Sequence, residues 1–290
     1  MHKENQGTVL HQLRYDIYHG TRNNWLQYVG LILLFILIHS FFLTHWQTLS
    51  SHGVVSASPS CWDYILDFFK GIKKVSFTDR YEPFDLPIPF LLFNLFLTFT
   101  IGKYACCDLE GIGLLTLLQS KKRSIWWGGK CLWCVFHVLC AYALLFLTAF
   151  CFSALNGNSS MEFTPQLNQA LSQIPTQTFE KWTLLQATFF LPILVSIALA
   201  FLQLSLSLWI PPVFSLLTII CLLVVSAYFC NPFLIGNYFM LLRSDLVLKG
   251  GVSLQAGYLV SIGLLFFSFF CGKIRFCKMD FLSRSEIYEN

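Results

Sequence analysis

Six long, unbroken apolar runs limit what this chain can fold into more than any other feature. They lie at about 25–46, 86–104, 131–155, 182–209, 211–230 and 252–271. A helix that crosses the hydrocarbon core of a bilayer needs about 20 mostly apolar residues. Barrel strands are shorter and alternate in polarity, so helices are the natural reading of runs like these. The fold class predicted is therefore all-α: a polytopic membrane protein with six transmembrane helices in one domain over residues 1–290. The composition agrees. Charged residues make up 12% of the chain, hydrophobic residues 56%, and mean hydropathy is +0.62. A soluble domain carries about 25% charge, so lipid is the expected solvent for most of this surface. The net charge of +4 forms no dense patch and points to no nucleic acid.

The first run begins about two dozen residues in, is too long for a signal-peptide core, and lacks a small-residue cleavage site. Trp25, Trp46, Trp182 and Trp209 stand at run ends, where interfacial aromatics collect. With both termini placed in the cytoplasm, the inner segments carry 12 Lys and Arg and the outer ones 7. The positive-inside rule therefore favours that orientation in a cell membrane.

In the first outer loop, at about 47–85, Asp63, Tyr64, Leu66 and the run from Phe68 to Ile72 predict a short amphipathic helix near the outer face. The second, at about 156–181, is polar and holds the formal glycosylation sequon Asn158-Ser159-Ser160. Among the 11 Cys, Cys131 and Cys134 have CxxC spacing and His137 follows them. This trio opens an apolar run, where Cys behaves as a small hydrophobe, and no metal is expected there. A Cys61–Cys230 disulfide has no support beyond both residues facing outward.

The inner segment 102–130 separates the second and third runs. Leu109, Ile112, Leu115 and Leu118 give it an apolar face, Lys121, Lys122 and Arg123 a basic cluster, and Trp126, Trp127 and Lys130 a set of membrane-interface anchors. Such a helix either fixes topology or presents a docking face to a cytoplasmic partner, and the physical signal is the same for both.

The run Asp108-Leu109-x-Gly111-x-Gly113, followed by Arg123-x-x-Trp126-Trp127-x-x-Lys130, resembles the permease subunits of ABC-2-type transporters of Gram-positive bacteria. The similarity extends to Asp63-Tyr64 and Gly71 upstream, and to the stretch from Pro232 through Gly236, Asn237 and Tyr238 to Arg243-Ser244 downstream. Gln119 departs from the pattern, which has a residue such as Arg there. The resemblance implies a transmembrane subunit of an ATP-driven exporter that works as a homodimer or heterodimer with a second permease and rests on a separate cytoplasmic ABC ATPase. It implies an amphipathic coupling helix between spans two and three, with Asp108, Glu110, Gly111, Gly113, Lys121, Lys122 and Arg123 touching the ATPase. It also implies a re-entrant hairpin between spans five and six.

The chain has no GxxxxGK[ST] loop to cradle phosphates, so ATP is expected on the partner and no cofactor on this chain. A channel or an intramembrane enzyme is the alternative. An intramembrane enzyme would need ionisable groups deep in the membrane, and spans free of acidic residues also argue against a proton relay; no Asp or Glu lies well inside a run. His39 and His137 do, without a nucleophile or carboxylate beside them; such a residue ordinarily hydrogen-bonds a neighbouring helix or points into a wet cavity, and Asn94, Gln186 and Gln203 either face a lumen or make helix–helix hydrogen bonds. No catalytic or metal residue is expected.

Overall fold

A computed structural model describes residues 9–74, 86–110, 123–176 and 179–279. The described chain is helical and contains no strand; its one β-type pairing is an isolated bridge between Ser244 and Val252. Nine helices organise it: α1 (Val9–Asn23), α2 (Trp25–Ser51), α3 (Cys61–Phe69), α4 (Ile88–Glu110), α5 (Arg123–Leu155), α6 (Pro165–Leu171), α7 (Lys181–Leu206), α8 (Pro212–Tyr228) and α9 (Leu254–Lys278). Each of the six apolar runs overlaps one of the longer helices. Four of them, α2, α5, α7 and α9, are long and apolar enough to cross a membrane.

α7 lies at the centre and packs against α4, α5 and α9. Its inward residues include Ser196, Ala198 and Ala200, small enough to let neighbouring backbones approach closely. Tyr142 of α5 and Ser196 share a hydrogen bond of 2.9 Å across this contact. Near its start α7 widens into a π-turn over Gln186–Phe190. Pro192 follows and cannot donate to the carbonyl four residues back, so the wider turn sits where the ordinary ladder is broken anyway.

Two ends can be distinguished by what meets there. The terminal end gathers α1, the last part of α4, the start of α5 and the end of α9. The far end gathers α3, α6 and the return from α8 to α9.

Three expectations change at this level. α3 does form, but it does not lie on the outer face. Cys61, Asp63, Tyr64, Ile65, Leu66, Phe68 and Phe69 are all buried, as befits a helix that is apolar nearly all round. Phe68 packs on Phe35 and Phe93 at ring-centroid distances of 5.8 and 5.6 Å, and Phe69 stacks on Tyr142 at 5.9 Å, which inserts α3 between α2, α4 and α5. Second, α5 starts at Arg123, so residues 123–130 are the first turns of the third apolar helix. Third, Trp126 and Trp127 are each 1% exposed and Lys130 not at all. They are interior residues rather than lipid-facing anchors, because α1 and α9 cover the start of α5: Trp126 stacks on Phe276 of α9 with ring centroids 4.4 Å apart.

Candidate functional site

At the terminal end, α1 is a surface helix tied to α5 by a buried ion pair. Its outward stripe is Leu10, Arg14, Tyr18 and Arg22; its inward stripe holds Gln12, Asp16 and Gly20. Lys130 Nζ stands 2.6 Å from Asp16 Oδ1, and neither side chain is exposed. The same oxygen accepts from the Tyr104 hydroxyl at 2.8 Å, and Gln12 Nε2 donates to the carboxylate at 3.3 Å. The ammonium also lies over the Tyr104 and Trp126 rings, 4.2 and 5.0 Å from their centroids. One carboxylate on α1 thus joins α4 and α5. Below this cluster the Tyr28 hydroxyl and His137 Nδ1 are 2.6 Å apart, which ties α2 to α5. His137 therefore takes the helix–helix role expected of it. His39 is buried in α2 against the Tyr64 and Phe152 rings.

Arg123 donates from Nη1 to the carbonyls of Cys277 and Met279, at 2.8 and 2.7 Å. A guanidinium on the last carbonyls of a helix satisfies acceptors that have no partner within it and complements the negative end of its dipole. Of the other residues expected to touch an ATPase, Asp108 and Glu110 belong to the last turn of α4. Gly111, Gly113, Lys121 and Lys122 lie outside the described residues, as does the segment expected to form the coupling helix.

At the far end, Asp63 closes a capping box at the start of α3. Its Oδ2 accepts from Ser60 N at 2.9 Å, and Ser60 Oγ accepts from Asp63 N at 3.3 Å. Its Oδ1 accepts from Thr164 N at 2.9 Å and from Asn168 Nδ2 at 2.7 Å. One buried carboxylate joins the two loops that were read separately in the sequence. Burial, with the Asp63 charge adding to it, pushes the Cys61 thiol up to about 11.

Between α8 and α9 the chain turns back into the protein. Two short 3₁₀ segments, Ile235–Phe239 and Leu241–Arg243, are buried throughout. Arg243 is fully buried and its guanidinium meets five oxygens: Ile72 O at 3.2 Å, Lys73 O at 3.4 Å, Ser226 O at 2.6 Å, Asn237 Oδ1 at 2.7 Å, and Ala227 O. Ser226 and Ala227 belong to the last turn of α8, whose dipole favours a cation there. Burial pulls this guanidinium below its usual range, against a smaller opposing effect of Cys230. Next to it, Gly71 adopts φ +67°, and a Cβ there would also run into Met240, so the turn needs glycine on two counts.

The sequence reading named Asp63, Gly71, Asn237 and Arg243 as parts of motifs; it gave no sign that Arg243 and Asn237 share one cluster with the backbone beside Gly71. Asp16 was missed altogether. The free thiols Cys131 and Cys134 are buried, and no group of three or more His, Cys, Asp or Glu able to hold a metal occurs among the described residues.

Four helices of this length and apolarity are compatible with a multi-pass membrane protein, here held at both ends by buried polar clusters. The chain belongs to the family described as DUF2705, a protein of unknown function, whose model matches residues 48–282. Neither a curated protein nor a solved structure matches it.

Proposed function

We propose that the chain is the transmembrane permease subunit of an ATP-driven, ABC-2-type exporter in the cell membrane, with six spans and both termini cytoplasmic. The observation that carries the reading is the buried return between α8 and α9. A permease of this type needs a seal on the side where cargo leaves, and the buried 3₁₀ segments Ile235–Phe239 and Leu241–Arg243, clasped by Arg243, would serve as one. α4 and α8 serve as the two further spans. α8 has 17 residues, about 26 Å at 1.5 Å per residue, at the short end of what crosses the core; the return then completes the distance on the far side. ATP binding falls to a separate subunit, which docks on the segment between α4 and α5. The permease pairs with a second copy or a homologous chain.

The test is co-purification from the native membrane. A separate ATPase is expected to accompany the chain, and charge reversal at Lys121 and Lys122 to weaken that association; Arg123 is kept intact because it caps α9. Transport by the purified chain without ATP would refute the proposal. So would labelling of cysteines in 105–125 from outside intact cells.

A further inference from the structure

α1 turns charge of one sign outward. Its single acid, Asp16, faces inward and is paired with Lys130. Arg14 and Arg22 are exposed on the outward stripe, and neither meets a carboxylate among the described residues. On the same stripe Leu10 and Tyr18 are 73% and 56% exposed. The face therefore alternates apolar residue and cation at four-residue spacing, which makes the four side chains neighbours along the helix. Tyr18 also aims Arg22: its hydroxyl accepts from Nη1 at 2.8 Å, with the guanidinium carbon 5.8 Å from the ring centroid.

The inward stripe fixes which way this face points. A Cβ at Gly129 would run into Gln12, and one at Gly20 would run into the Trp133 indole. With Asp16 on Lys130 between these two close contacts, α1 cannot roll about its axis. The same contacts give its inclination. Val9 lies beside Gly128, and Gly20 beside Trp133. From one contact to the other α1 advances eleven residues, about 16 Å, and α5 only five, about 8 Å. α1 thus lies obliquely across the start of α5, more along a membrane than through it. Its height follows from the chain. Trp25, three residues after Arg22, opens α2, and the exposed Leu26 and Val29 belong to that apolar helix. Arg22 therefore stands where the apolar surface of α2 begins, at the level of the headgroups.

We propose that the outward face of α1 binds anionic phospholipids of the adjacent leaflet, with Arg14 and Arg22 each meeting a phosphate and Leu10 and Tyr18 lying between the headgroups. Charge and apolarity together select this occupant. Water alone gives no reason to expose Leu10 and Tyr18, and the hydrocarbon core excludes two unpaired cations; the boundary layer of a bilayer accepts both. A guanidinium fork matches a phosphate, and an anionic surface attracts each such cation. The lipid then holds α1 from outside as Asp16 holds it from within. The inference needs only that the apolar helices lie in a bilayer and is independent of the transport reading.

The test is hydrogen–deuterium exchange of the whole chain in nanodiscs of phosphatidylglycerol or of phosphatidylcholine, followed in peptides from residues 9–23. Both lipids carry the phosphate, but only the first has a net charge. Wild-type α1 is expected to exchange about 25-fold more slowly in phosphatidylglycerol, roughly fivefold for each Arg at an anionic surface, and high salt should shrink the difference. R14Q/R22Q changes two exposed positions and should exchange at one rate in both lipids, whereas R14K/R22K keeps the charge and most of the difference. The apolar helices hold the chain in either disc, so equal exchange of wild-type α1 in the two lipids overturns this inference alone. So does a difference that survives R14Q/R22Q. So does protection of α1 seen only in native membranes and lost when a second protein is stripped away, because the face then belongs to that protein.

Discussion

Replacing Asp16 by Ala is expected to release α1 from the bundle while leaving the rest folded. The substitution leaves the Lys130 ammonium buried beneath α1 without its carboxylate. Breaking one partner of a buried pair costs about 3–5 kcal/mol. What otherwise holds α1 down is modest: Leu13 and Ile17 are only partly buried against the core, and a fully buried aliphatic side chain contributes roughly 1.5–3 kcal/mol. Lifting α1 off returns Lys130 to water and forfeits about 2–3 kcal/mol of that apolar contact. Release therefore wins, shifting the docked-to-released equilibrium by roughly 10²–10⁴-fold before the apolar loss is counted. Limited proteolysis in detergent should cut D16A within residues 9–23 at protease concentrations that spare wild type, with the helices after Trp25 still protected. The double variant D16N/K130M removes the stranded charge and keeps an acceptor for Tyr104, so protection should largely return. If D16A stays protected, or the double variant is cut as readily as D16A, the reasoning fails.

Arg243→Lys keeps the charge but loses the planar fork that reaches Ser226, Ala227 and Asn237 together; a loss of about 1–3 kcal/mol in denaturant unfolding is expected, and Arg243→Ala should lose more. Asp63→Ala removes the capping box and both bonds to the second loop, and should lower stability by about 2–3 kcal/mol, while Asn168→Ala, which removes only one of those bonds, should cost less. The raised Cys61 thiol, at about 11 against an ordinary 9.0, should hold roughly 100-fold less thiolate at pH 8 than an unperturbed cysteine and alkylate correspondingly slowly. The unfolded chain ionises first, so the stability associated with Cys61 is present below pH 9 and fades as pH rises toward 11; a Cys61→Ala variant should lack that part of the alkaline loss, read by unfolding at pH 8 and pH 10.5.

The long apolar elements could be read from the chain because a bilayer-length hydrophobic run has few other outcomes. Each of the six runs overlaps a helix; α2, α4, α5 and α9 each run past one edge assigned to them, whereas α7 ends at Leu206, short of Trp209. α3 was placed near the outer face because Asp63, Tyr64, Leu66 and the run from Phe68 to Ile72 read as an amphipathic pattern. In the fold Asp63 points to backbone N–H groups of two loops, and the nine-residue helix is left apolar around most of its circumference. Trp126 and Trp127 misled for a similar reason. A Trp pair at the end of a run looks the same whether lipid or another helix covers it, and here Phe276 does. The Asp16–Lys130 pair spans 114 positions, and nothing local marks Asp16 as the partner of a lysine so far along the chain. Arg243 counted toward the charge of an outer loop; only the backbone that surrounds it reveals a clasp.

The clasp around Arg243 also orders the making of the protein. Its acceptors come from residues 72–73, 226–227 and 237, and the guanidinium from residue 243. A growing chain delivers the first of these when only α1 to α3 have been synthesised, and the last after α8. Until then the carbonyls of Ile72 and Lys73 and the C-terminal turn of α8 wait for a donor that does not yet exist. The far end of the bundle therefore closes late in biogenesis, so a nascent chain stalled before residue 243 would carry α8 with that end still open.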